Sequence, residues 1–87
     1  MTDQTKAADR AIIELLLADL DIALTFMDVA RTTEFRATAD RNHRNARKAY
    51  DMVIEKLSEV TPSPAEQVKF DIKLADLRER LRAVGQL

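Results

Sequence analysis

Eighty-seven residues suffice for one compact domain and exclude a two-domain enzyme with a cleft between domains. With 46 % hydrophobic and 33 % charged residues the chain is too apolar for disorder, and one Gly and two Pro favour a few long helices. Fourteen Lys and Arg against fifteen Asp and Glu leave a net charge of −1 and no global field for nucleic acid or an anionic membrane; the absence of Cys and a single His exclude a disulfide scaffold and Cys-based zinc sites.

At the N-terminus, Met1 to about Lys6 is expected to be a loose tail. The apolar run Ile12-Ile13-Glu14-Leu15-Leu16-Leu17-Ala18 follows Lys6 and Arg10, but Glu14, Asp19 and Asp21 interrupt it before it reaches the length of a membrane span. The expectation is a soluble cytoplasmic chain without a membrane segment.

The first helix is predicted over 9–31. Its apolar residues, including Ile12, Ile13, Leu15, Leu16, Leu17, Leu20, Ile22, Leu24, Phe26, Met27 and Val29, cover about two-thirds of the circumference at 100° per residue. Glu14, Asp21, Thr25 and Asp28 make up the polar arc. Two neighbouring helices account for much of this width, but a helix so apolar is usually covered on more sides than a monomeric three-helix bundle provides, which points to a homodimer or a helical partner packed on the first helix.

Thr32-Thr33, two β-branched residues with Thr33 as a candidate N-cap, separates this helix from a second predicted over 34–60. The alternative is one continuous helix from 9 to 60. The second helix carries a narrow core stripe of Ala39, Ala46, Tyr50, Val53 and Leu57. Arg41, Arg44 and Lys48 share its far side with Glu55 and Glu59, so the three cations are possible phosphate contacts, and a regulator that touches nucleic acid is the alternative function.

Thr61-Pro62-Ser63-Pro64-Ala65-Glu66 predicts a helix stop followed by a capped start: Ser63 as N-cap, Pro64 in the first turn and Glu66 closing a capping box. The third helix is predicted over 64–84, with Gly85 as its stop and Phe70, Leu74, Leu77, Leu81 and Val84 as its core stripe. Val68, Ile72 and Ala75 lie roughly opposite and extend the candidate interaction face formed by Ile12, Leu15, Ile22 and Phe26. Segments of roughly 35, 40 and 30 Å suit an all-α, antiparallel up-down-up three-helix bundle occupying 1–87 as a single domain.

Asp19 falls inside the apolar arc, where a lone carboxylate needs a partner. A hairpin folded about Thr32-Thr33 brings it level with Arg47 and within a turn of His43 and Tyr50, which predicts a structural polar cluster of Asp19, His43, Arg47 and Tyr50. No nucleophile motif accompanies them, so no catalysis is expected. His43 and Asp40 alone cannot complete a metal site, and no cofactor is expected.

The stretch Asn45-Ala46-Arg47-Lys48-Ala49-Tyr50-Asp51-Met52-Val53 resembles the second-helix pattern of tetratricopeptide-like hairpins, in which small residues permit close helix approach and an aromatic fills the gap. In length and order of helices the chain also resembles the microtubule-interacting and transport domains. The tetratricopeptide Gly and any 34-residue repeat are missing. Both families bind peptides or helices in grooves between their helices, so the resemblance implies a small protein–protein interaction or scaffolding module.

Overall fold

A computed structural model describes the backbone from Thr2 to Leu87 and the side chains from Ala8 onward; Met1 lies outside the described residues. The chain is all-helical, with α1 over Thr2–Thr32, α2 over Arg36–Leu57 and α3 over Pro64–Ala83. The expected loose tail is helical from Thr2, and α1 sets the long dimension of a body measuring 51 × 18 × 17 Å.

The core forms where three helical seams meet. On α1 the buried residues are Ile13, Leu16, Leu20, Ala23, Met27 and Ala30, which alternate steps of three and four and keep one row facing inward. Ala46, Tyr50 and Val53 meet it from α2, and Phe70, Leu74, Leu77 and Leu81 from α3. Ala23 and Ala46 are completely buried, and their small side chains suit the extensive packing between α1 and α2. Phe70, the largest fully buried side chain, fills the space beneath α3.

Cross-links on the surface fix how α3 lies. Lys73 pairs with Asp21 and Arg80 with Asp28 at 2.9 Å, so moving seven residues along α3 moves seven along α1 in the same direction. Arg78 of α3 reaches Tyr50 and Arg47 reaches the carbonyl of Gln86 beyond the end of α3, so the chain through α3 runs oppositely to α2. The packing is consistent with an up-down-up course.

The two connections differ in chemistry. α1 stops at Thr32, whose hydroxyl donates back to the Asp28 carbonyl at 3.1 Å. Phe35, not Thr33, precedes the first turn of α2; its backbone is extended (φ −99, ψ 116) and its side chain makes no cap. The Thr33 hydroxyl accepts from the Phe35 backbone N–H at 3.3 Å, satisfying the turn instead of the helix start. A single helix through residue 60 is therefore absent.

Downstream, α2 ends at Leu57, where Ser58 Oγ donates to the Glu55 carbonyl at 2.6 Å and Glu59 and Val60 close tighter turns before Pro62. At α3 the capping box is complete: Glu66 N–H donates to Ser63 Oγ at 3.2 Å, and Ser63 N–H donates to Glu66 Oε1 at 2.8 Å. The far end closes when Gln86 N–H donates to the Leu81 carbonyl at 2.9 Å, with Gly85 at φ 79, a left-handed conformation that only glycine adopts without strain. Val84, expected in the core stripe, is 41 % exposed because α3 ends at Ala83 and the chain leaves the helical seam there.

Ser63→Ala removes one half of the box and should cost about 1 kcal/mol in urea unfolding at neutral pH. The Ser63 backbone hydrogen bond, then its side-chain bond, holds the Glu66 carboxyl below its ordinary value of 4.5. A depressed carboxylate adds stability that is complete above that value and disappears as pH falls through the lowered one. Acid titration of Glu66→Ala should accordingly show a shallower loss of stability below about pH 4.5 than the parent chain.

Candidate helix-docking surface

The α1 row that packs inward leaves another outside. Ile12, Leu15, Ile22 and Val29 are 38, 60, 51 and 41 % exposed, whereas Phe26, expected on the same face, is half-buried and packs against the core. Leu17 and Leu24, on the other flank of the buried row, pack against the core, and nearby Arg10, Asp21 and Asp28 pair with Glu66, Lys73 and Arg80 of α3. The exposed row therefore lies on the side of α1 turned away from α3. This is why the third helix cannot cover it.

Beside the row runs a shallow groove of about 320 Å³ between α1 and α2, lined by Ile12, Leu15, Asp19, Met52, Lys56 and Glu59. Its floor is apolar and its rim charged, the arrangement in which an amphipathic helix rests its apolar stripe. The exposed apolar atoms of the row with Met52 amount to on the order of 400 Å², the size of the largest patch on an ordinary monomeric protein, which is often a functional one. At about 25 cal/mol per Å², covering them yields roughly 10 kcal/mol before association costs of similar size, so the expected affinity is modest.

Val68, Ile72 and Ala75 are also exposed, but on the side of α3 opposite its buried row. They are not continuous with the α1 row. A helix lying on one surface cannot touch the other.

The expected cluster of Asp19, His43, Arg47 and Tyr50 does not assemble. Tyr50 is buried and its hydroxyl accepts from Arg78 Nε at 2.9 Å, with the Arg78 guanidinium carbon 6.0 Å from the ring centroid. Arg47 donates from Nε to both Asp51 carboxylate oxygens at 3.0 Å and also bonds the Gln86 carbonyl. His43 lines a separate open cleft of about 500 Å³ with Met27, Ala30, Arg31, Arg80, Ala83 and Val84. Asp19 lies in the groove with Met52 and Lys56, about a turn beyond the level of Arg47. The register differs because the helices are joined through residues 33–35, later than the Thr32-Thr33 pivot. Asp19, half-exposed at a rim, has no need of a buried partner.

Among the described residues, every buried side-chain nitrogen or oxygen has a hydrogen-bond partner. Arg80 donates to Asp76 and Asp28, and the Asp76 bond, then the Asp28 bond, raises its pKa and keeps its cation in place. Arg41, Arg44 and Lys48 are exposed on the far side of α2, and the same arc continues into Glu55 and Glu59. Among the described residues no group of three or more His, Cys, Asp or Glu could hold a metal ion, and no helix is long and apolar enough to cross a membrane. No protein-family model, curated protein or solved structure matches the chain.

Two substitutions separate the observed polar contacts from the expected ones. Tyr50→Phe removes the acceptor for Arg78 and should cost about 0.5–1.5 kcal/mol in chemical denaturation. Asp19→Asn should stay within about 0.5 kcal/mol of the parent.

Proposed function

We propose that the chain is an antiparallel up-down-up three-helix module that binds another helix, without catalysis, through the outer row of α1 and the adjoining groove at Met52. The uncharged run from Leu15 through Ile22 to Val29, exposed along one line of a well-packed helix, carries this conclusion. These side chains contribute little to the core, so folding alone does not account for them. The groove rim supplies Asp19, Lys56 and Glu59, charges of both signs that can orient a partner helix without driving its affinity.

Leu15→Glu combined with Ile22→Glu tests this directly. Both positions are exposed, so the variant should keep its helical circular dichroism and cooperative melting. At low micromolar concentration it should lose the fluorescence enhancement that an apolar dye shows with the parent chain; equal enhancement in the two would sink the proposal. Association through this face should change little between about 50 and 500 mM salt, whereas binding through phosphate contacts at Arg41, Arg44 and Lys48 would weaken steeply.

A further inference from the structure

At the end of the bundle where α1 turns into α2, the side chains available to close the core are small. Ala30 and Ala83 offer little bulk, and Val84, next in the α3 seam after Leu77 and Leu81, leaves it as the chain turns at Gly85. Phe70, which fills the core beneath the first half of α3, has no counterpart here. What remains is the open cleft of about 500 Å³ that His43 lines, a volume within the roughly 300–1,000 Å³ of small-ligand sites.

Every polar side chain on the wall of this cleft is a nitrogen donor: Arg31, His43 and Arg80 line it, and no carboxylate does. Asp76 and Asp28 hold Arg80 in place, the Asp28 oxygen at 2.9 Å, while Arg31 reaches that same oxygen only at 3.5 Å. Among the described residues, the hydrogen bonds at this end therefore engage Arg80 and leave Arg31 and His43 without one. The Arg31 side chain is 76 % exposed and free to swing across the mouth.

We propose that this cleft binds a small organic anion, a monocarboxylate with an apolar body. The body rests on Met27, Ala30, Ala83 and Val84, where the unbranched Met27 thioether adapts to its shape. The carboxylate sits at the mouth, between the Arg31 guanidinium, whose planar fork matches its two oxygens, and an N–H of His43, which either neutral tautomer supplies. A doubly charged phosphate finds too few donors, because Arg80 is already committed to two carboxylates. An uncharged molecule of the same shape gains only the apolar contact. The cleft shares no residue with the docking face on α1, so the two sites are independent.

Octanoate and its uncharged counterpart 1-octanol are the probes, titrated to about 3 mM into the isotopically labelled chain while amide resonances are followed. Octanoate should shift Ala30, Arg31, His43 and Ala83 along one saturable curve, and 1-octanol should bind at least fivefold more weakly. Equal binding of the two, or no saturable shift with octanoate, would overturn the proposal. Arg31→Gln, at an exposed position that folding does not depend on, should reduce octanoate affinity at least fivefold and leave 1-octanol unchanged; an unaltered octanoate curve would remove the anion from this site. Ala83→Leu, which fills the floor from an exposed position, should abolish both. The Leu15→Glu and Ile22→Glu double variant should bind octanoate as the parent does. Loss of binding there would place the ligand on the α1 row and overturn the cleft as its site.

Discussion

Helix α1 carries more apolar circumference than its two neighbours can enclose, and the rest of the molecule is arranged around that surplus. α2 and α3, with 22 and 20 residues, are shorter than the 31-residue α1 and lie against one side of it. Their buried rows close over Ile13, Leu16, Leu20, Ala23 and Met27, leaving Leu15, Ile22 and Val29 in water. A third neighbour is the only way to bury both rows at once, and the chain does not supply one in its described part.

Polar side chains determine which side remains open. The pairs of Asp21 with Lys73 and Asp28 with Arg80 draw α3 toward one flank of α1, while Arg78 seats the other flank of α3 on the Tyr50 hydroxyl. Exposed ion pairs add little stability individually. Their value is orientation: an apolar stripe alone would tolerate a rotated or shifted α3, whereas pairs one heptad apart hold it in register. The open α1 face is thus a consequence of where α3 is held.

Much of this was legible in the sequence wherever a local signal decided the matter. Ser63, Pro64 and Glu66 specify the start of α3 because cap and box act within four residues, and Gly85 marks its end because only glycine takes the left-handed turn easily. The surplus on α1 was visible too, since helical periodicity alone places Leu15 and Ile22 away from Leu16 and Leu20. What failed was long-range register. The turn between α1 and α2 has no Gly or Pro, and shifting it from Thr33 to Phe35 carried Asp19 past Arg47 to Met52. Arg78, the actual partner of Tyr50, was missed because its distance of 28 residues has no sequence signature. The two apolar strips, on α1 and α3, were joined for the same reason: periodicity gives each helix an outer side but not the direction in which that side points.

Size turns the open face into a matter of stability as well as recognition. A chain this short buries only about 60 % of its unfolded surface, and the net stability of such domains is a small difference between large terms. Whatever binds the folded form but not the unfolded one adds to that difference in proportion to the logarithm of its concentration. A partner on α1 would rigidify the longest helix and shield the residues that contribute least to the internal core. Stability and association then become one equilibrium, in which Leu15 and Ile22 cost little while exposed yet decide how firmly the molecule holds once they are covered.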